Sequence, residues 1–147
     1  MIIFLDFDGV LHPDDSTVSE LFCQLPLLWE ILRARPAAEV VFSTSWREHY
    51  PFGELLDMVT SNGGEDLTPR FIDATPVINV APGADDYRLR ELECLAWLQE
   101  NQRESARWLA LDDVAHWFAF ACPTLYLVDG QTGLTGDDVM AVLERLA

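Results

Sequence analysis

The stretch that decides the fold is Ile2-Ile3-Phe4-Leu5-Asp6-Phe7-Asp8-Gly9, near the start of the chain. Its first four residues are apolar without interruption, which is typical of a strand buried on both faces at the centre of a parallel sheet. We therefore predict a strand over residues 2–6, followed by a turn at Asp8-Gly9. Asp6 and Asp8 stand two residues apart at the strand end, so one can face a crevice while the other follows the turn.

Beyond this strand, apolar runs alternate with helical patterns. Further strands are predicted over residues 40–42, 107–111 and 125–128, with a short one inside the proline-rich segment 71–80. Helices are predicted from Pro26 to Pro36, over 52–61, over 85–101 with Leu89, Leu92, Leu95 and Leu98 facing inward, and from Thr135 onward. This order predicts an α/β fold, a three-layer sandwich with a central, mainly parallel, Rossmann-like sheet.

The length of 147 residues suits one domain over residues 1–147, and a hydrophobic fraction of 50% is typical of a globular chain. No apolar run is long enough to span a bilayer, and the first residues lack the basic region of a signal peptide, so we expect a cytoplasmic protein. Three scattered cysteines favour buried thiols over a disulfide framework or a zinc site.

The charge is strongly negative. The formal net charge is −16, with 25 acidic residues against 9 basic ones, and every basic residue is arginine. Such a field repels phosphate backbones and anionic lipids, so we expect no membrane partner and disfavour nucleic acid, unless arginines cluster locally. The absence of lysine excludes a lysine Schiff base.

Three predicted strands end in polar residues that can carry chemistry: Asp6, Ser43 and Asp112. The carboxyl ends of parallel strands share one edge of the sheet, which is where ligands bind in such folds. Asp8 and Asp113 add two further carboxylates at that edge. Four carboxylates would repel one another without a cation, and hard oxygen ligands suit Mg²⁺. The pattern therefore predicts a magnesium site.

Each of these residues also has a purely structural interpretation. Asp8-Gly9 is a common turn dipeptide, and Asp112, Asp113 or the Ser43-Thr44-Ser45 run could cap the segments that follow them. Taken singly, each structural interpretation is favoured. Their joint placement at three predicted strand ends favours a functional site instead.

The residues at these strand ends resemble the motifs of phosphatases of the haloacid dehalogenase (HAD) superfamily. Asp6-Phe7-Asp8-Gly9-Val10-Leu11 resembles the first motif, Val41-Phe42-Ser43 the second, and Ala110-Leu111-Asp112-Asp113 the fourth. The third motif is a basic residue, usually lysine. Arg90 is our choice for it, with Arg88 as the alternative.

A finer resemblance connects the chain with a small bacterial branch that includes the phosphatase domains of RNA-repair proteins. It rests on Ser45-Trp46-Arg47, Ala74-Thr75-Pro76, Ala96-Trp97-Leu98 and Gly133-Leu134-Thr135. The segments between the motifs are too short for a large cap, since domains usually need about 50–200 residues.

The resemblance implies a role for each matched residue. Asp6 is the expected nucleophile, Asp8 the general acid and base, and Ser43 and Arg90 the groups that stabilise the transferring phosphoryl group. The expected ligands of Mg²⁺ are Asp6, Asp8 (through its backbone carbonyl), Asp112 and Asp113.

Three further residues are predicted to contact the phosphorylated substrate: Gly9, Thr44 and Arg47. For Arg47, a structural ion pair with an acid is the favoured alternative. His12 is interpreted as a solvated loop residue, and Trp46 as a packing residue.

Three functions follow as hypotheses. The leading one is a Mg²⁺-dependent phosphomonoesterase. A polynucleotide-end phosphatase is favoured by the finer resemblance and opposed by the net charge. A non-catalytic module that binds Mg²⁺ or phosphate is the third.

Overall fold

The computed structural model describes all 147 residues and contains one sheet of five parallel strands in the order β3-β2-β1-β4-β5. The strands are β1 (Ile2–Leu5), β2 (Glu39–Phe42), β3 (Phe71–Ala74), β4 (Trp108–Asp112) and β5 (Leu125–Leu127). The helices are α1 (Leu25–Ala34), α2 (Phe52–Thr60), α3 (Leu89–Glu100) and α4 (Gly136–Arg145). The predicted α/β class and parallel sheet are confirmed.

The strand order changes direction at β1. This strand pairs with β2 on one side and with β4 on the other, and Leu5 lies opposite both Phe42 and Leu111. The chain first builds outward through β2 and β3, then returns to add β4 on the other side of β1. At such a switch point the loops diverge and leave a crevice above the strand ends. Asp6, immediately after β1, and Asp112, the last residue of β4, border that crevice.

β1 is buried on both faces, which explains its unbroken apolar sequence. Ile3 and Leu5 belong to the larger core cluster, which also contains buried residues of α1, α2 and α4. Ile2 and Phe4 point to the opposite face and join a smaller cluster with α3. Helices therefore cover both faces of the sheet, and the three-layer arrangement is confirmed.

α3 differs from its prediction in both its start and its buried face. The helix begins at Leu89, because Arg88 has a left-handed backbone with φ of 65°. Leu92 and Leu95 are 43% and 40% exposed, so the prediction that they face inward was wrong. The buried residues of the helix are Arg90, Glu91, Glu93, Cys94, Trp97 and Leu98.

The rotation of α3 has a physical cause. Trp97 packs edge-on against Phe4 with ring centroids 5.8 Å apart, and Arg90 reaches the acidic end of the sheet. Both contacts require the face of the helix that carries Trp97 and Arg90, and this turns Leu92 and Leu95 toward solvent.

The expected absence of a large cap is confirmed. Between β1 and α1 the only helical segment is the short 3-10 helix Val18–Glu20, and residues 75–88 between β3 and α3 contain no helix or strand. None of the helices combines the length and apolar character required to cross a bilayer.

Replacing Phe4 by alanine should destabilise the fold. Phe4 is fully buried and packs against both Trp97 and Trp108, so truncation leaves a cavity between β1 and α3. We expect a loss of about 3–5 kcal/mol in the free energy of unfolding, measured by urea denaturation. Met140→Ala, at a position 70% exposed on α4, should change it by less than about 0.5 kcal/mol. Equal losses for the two variants would contradict this account of the core.

Candidate active site

A small crevice of about 110 Å³ lies at the carboxyl ends of β1 and β4. Its walls carry most of the acidic residues that the sequence places at this edge. They are Asp6, Asp8, Asp14, Ser45, Arg90, Asp113, Val114 and Trp117. The predicted convergence of remote acids is therefore a feature of the structure.

Three carboxylates form the acidic centre of the crevice. One oxygen each from Asp6, Asp112 and Asp113 lies within 4.8 Å of the others. Burial, and then the nearby negative charge of Asp6, raises the pKa of Asp112 to about 7. Burial is also the main reason that the pKa of Asp6 is raised, against the opposing effect of Arg90. Ionisation of these carboxyl groups is unfavourable in the folded protein, and a metal cation bound among them would lower its free-energy cost.

Asp113 lies beside a second acid, Asp14, which the sequence places near the rim of the site without indicating a role. Burial and a hydrogen bond with the carboxyl group of Asp14 raise the pKa of Asp113 to about 8. Asp14 is held by its own N–H, which donates to the carbonyl of Gly130 at 2.8 Å. The only signal in the sequence was the acidic pair Asp14-Asp15 a few residues after the first motif.

Two glycines make room for these carboxylates. Gly9 has φ of +75°, and a Cβ there would overlap the carboxyl groups of Asp113 and Asp14. A Cβ at Gly130 would overlap the same two groups. Gly9 is therefore required by a close approach of backbone to acid, in addition to the turn that it forms. This is a more specific role than the substrate contact predicted for it.

The residues present fit Mg²⁺. The donor atoms of Asp6, Asp112 and Asp113 are all carboxylate oxygens, which are hard ligands, and they converge from two strand ends. The carboxylate of Asp8 points to other partners, so its expected part in the metal site rests on its backbone carbonyl.

The side chain of Asp8 is held by two hydrogen bonds. Trp46 Nε1 donates to its Oδ2 at 3.0 Å, and His12 Nε2 lies 2.8 Å from its Oδ1. The backbone N–H of Phe22 donates to His12 Nδ1 at 3.2 Å, so the ring proton must be on Nε2, which donates to Asp8. His12 is 1% exposed, and its interpretation as a solvated loop residue was wrong.

Arg90 supplies the positive charge of the site. Its Nη1 lies 3.1 Å from Asp112 Oδ2 and 3.3 Å from Asp6 Oδ1. Burial opposes its charge, but Asp6, Asp112 and Glu93 together raise its pKa. Arg88, the alternative for the third motif, instead pairs with Glu91 and is 41% exposed at its side chain. Only Arg90 reaches the candidate nucleophile.

Ser43 and Thr44, the first two residues after β2, make different contacts. Ser43 is buried at the strand end next to β1, where its N–H donates to the carbonyl of Leu5 at 3.0 Å. Thr44 is fully buried, and its Oγ1 accepts the N–H of Trp46 at 3.3 Å. This hydroxyl caps a turn away from solvent, which corrects the substrate contact predicted for Thr44.

Arg47 is a structural residue. Its side chain makes five hydrogen bonds, to the carbonyls of Ser43, Thr44, Thr75 and Pro76 and to Glu93 at 2.7 Å. A guanidinium has five N–H donors, so none is left for a phosphate. The structural alternative for Arg47 is therefore correct, and the substrate contact is not. Its partner Glu93 is a buried residue that the sequence analysis missed.

The fold and the site define the chain as an α/β domain with an Asp-x-Asp pair after its first strand and a second acidic pair after a neighbouring one. A family model described as the HAD domain in Swiss Army Knife RNA repair proteins matches residues 2–139. The chain belongs to this family of HAD domains. No curated protein and no solved structure matches it.

The raised pKa values predict an unusual dependence of stability on pH. Carboxyls with pKa values of about 7 and about 8 in the fold and 3.8 when unfolded bind more protons in the folded state. Their stabilising contribution is complete below the unfolded value and is lost as the pH rises toward the folded values. In chelator, the melting temperature should therefore fall between about pH 5 and about pH 8, and Mg²⁺ should raise it more at the higher pH.

The control for this experiment is Asp113→Asn, which removes one of the titrating groups. Its melting temperature in chelator should change less with pH than that of the wild type. If Mg²⁺ stabilises the wild type equally at both pH values, the acidic centre does not bind the ion as described.

Proposed function

We propose that the protein is a Mg²⁺-dependent phosphomonoesterase that acts through a phosphorylated aspartate at Asp6. The observation that carries the proposal is the convergence of Asp6, Asp112 and Asp113 within 4.8 Å, beside the guanidinium of Arg90. Membership of a HAD family supports the same reaction class.

In the first step, a carboxylate oxygen of Asp6 attacks the phosphorus. The bond from phosphorus to the leaving oxygen breaks, and Asp8 donates a proton to that oxygen. Arg90 balances negative charge on the transferring phosphoryl group, and Ser43, at the neighbouring strand end, donates a hydrogen bond to it.

In the second step, water hydrolyses the phosphorylated aspartate. Asp8, now deprotonated, accepts a proton from the attacking water, and inorganic phosphate and free Asp6 are released. Mg²⁺ bound by Asp6, Asp112 and Asp113 would neutralise charge on the phosphoryl oxygens and align them with the nucleophile. Asp8 can act in both steps because His12 and Trp46 hold its carboxylate at the crevice, where its side chain is 51% exposed.

Replacing Asp6 by asparagine tests the nucleophile. We expect Mg²⁺-dependent phosphate release from an aryl phosphate to fall by at least about a thousandfold, because the amide cannot form the covalent intermediate. The substitution keeps the shape of the side chain and removes a buried charge, so the fold should persist by circular dichroism and thermal melting.

Asp57→Asn is the matched control, because Asp57 is exposed on α2 and does not line the crevice. Its activity should equal that of the wild type. Full activity in Asp6→Asn would refute the assignment of Asp6 as nucleophile. Binding of Mg²⁺ without turnover of any phosphate ester would favour the non-catalytic module.

Replacing His12 tests whether it positions Asp8. His12→Phe keeps a ring beside Phe22 and Trp46 but removes the donor to Asp8. We expect kcat/KM to fall by roughly ten- to a hundredfold for an alkyl phosphate, whose leaving alkoxide needs a proton from Asp8. The loss should be smaller for p-nitrophenyl phosphate, whose leaving group departs without protonation.

His12→Gln is the conservative control, because its side-chain amide can still donate to Asp8. It should recover part of the activity on the alkyl ester. Equal losses on both esters in His12→Phe would assign His12 to the packing of the loop and not to proton transfer.

A second candidate is a phosphatase for polynucleotide ends, which the description of the matching family favours. The net charge of −16 opposes it, as does the engagement of Arg47 in five internal contacts. Phosphate release from 3′- or 5′-phosphorylated oligonucleotides, compared with small esters at one salt concentration, separates the two candidates.

A further inference from the structure

A larger cavity opens beside the catalytic crevice. It has a volume of about 270 Å³ and shares Ser45, Arg90 and Trp117 with the crevice. We call it the side pocket and define it by its apolar wall, which consists of Val77, Ile78, Val80, Leu89 and Trp117. A substrate whose phosphate lies at Asp6 can therefore extend past Arg90 into the side pocket.

Hydrogen bonds hold two residues of the apolar wall, Ile78 and Trp117. Glu93 Oε2 accepts both the backbone N–H of Ile78 at 3.0 Å and Arg47 at 2.7 Å. Trp117 donates from Nε1 to Asp86 at 2.7 Å, and the guanidinium of Arg90 lies 4.6 Å from the centre of its ring. These contacts hold part of the wall in place before a ligand binds, which lowers the entropic cost of binding.

The charges that border the side pocket select against a second anion. Four charged residues line it: Arg47, Glu48, Arg90 and Glu93. The donors of Arg47 are fully used, and Arg90 is directed at Asp6 and Asp112. Glu48 adds a negative charge, and each cation that lines the pocket is already paired with a buried acid.

We infer that the side pocket receives the leaving group of the substrate, and that this group is compact, uncharged and apolar on one face, such as an aromatic ring. The inference rests on the proposed phosphatase function and adds the class of ester that the site accepts. A pocket of this size holds about one small ring system, since pockets for drug-sized ligands usually measure about 300–1,000 Å³.

Three esters of primary alcohols test the inference: benzyl, ethyl and carboxymethyl phosphate. Burial of the ring against Val77, Val80 and Trp117 should give benzyl phosphate a kcat/KM roughly ten- to a hundredfold above that of ethyl phosphate. Carboxymethyl phosphate, which carries a carboxylate as a second anionic group, should react more slowly than ethyl phosphate. A ratio of benzyl to ethyl near one, or a preference for the carboxymethyl ester, would overturn the inference.

Val80→Asp places a charge in the side pocket without disturbing the core, because Val80 is 44% exposed. It should lower kcat/KM for benzyl phosphate more than for ethyl phosphate, and Val77→Asp should do the same. Val18→Asp adds an equal charge at a position 88% exposed outside the pocket, and it should leave the benzyl-to-ethyl ratio unchanged. An unchanged ratio in both pocket variants would overturn the inference.

Nucleotides separate this class from nucleic-acid ends. A 5′-mononucleotide has an uncharged leaving group, whereas a 5′-phosphorylated dinucleotide carries a further anionic phosphodiester. The mononucleotide should have the higher kcat/KM. Preference for the dinucleotide would overturn the inference and support the polynucleotide-end candidate.

If the proposed phosphatase function itself is wrong, the experiments give a different result from failure of the side-pocket inference. In that case no ester is hydrolysed in a manner that depends on Asp6 and Mg²⁺. Calorimetric binding of benzylphosphonate with Mg²⁺ then tests the side pocket alone. Binding that is weakened by Val80→Asp supports the pocket, and absence of binding overturns it.

Discussion

Buried carboxylates repel one another at the ends of β1 and β4, and the structure must offset this repulsion with positive charge or protons. Asp6 and Asp112 are 4% and 0% exposed, and Asp113 lies beside them. A buried charge is tolerated only when it is paired, protonated or bound to a metal. One arginine, Arg90, contacts two of these acids, so the remaining charge must be met by protons or by a cation. The raised pKa values and the fit to Mg²⁺ are two consequences of this one constraint.

The same constraint extends to the outer layer of the fold. Arg90 reaches Asp6 only if the start of α3 buries a polar face, and Glu93, one turn later, lies 3.6 Å from Arg90 Nε and also pairs with Arg47. Arg47 in turn binds the carbonyls of Thr75 and Pro76, which fixes the loop after β3. The positive charge that faces the acidic crevice therefore sets the rotation of a helix and the shape of the side pocket.

The sequence predicted those features that depend on local position. A strand buried on both faces must be apolar throughout, and a residue that follows such a strand must lie at the sheet edge, so the positions of Asp6, Ser43 and Asp112 were predictable. The roles of His12 and Glu93 were not, and for Arg47 the sequence favoured an ion pair with an acid without indicating which acid. They depend on contacts between segments that are distant in the chain, such as Arg47 with Glu93. The spacing of the leucines in α3 was misleading for the same reason, because the site and Trp97 determine the buried face.

The distribution of charge also bears on how an anionic substrate can reach this protein. The net field is negative, and the two arginines beside the crevice are both engaged with buried acids. Under the proposed function, a phosphate monoester would therefore meet only arginines that are already paired with acids, in contrast to sites that bind phosphate through clusters of free arginines. A divalent cation held by Asp6, Asp112 and Asp113 would then supply most of the attraction, with Arg90 beside Asp6 adding to it. The metal would then serve both the stability of the acidic centre and the capture of the substrate. Because that attraction is confined to one point, a second anionic group on the substrate would meet only repulsion.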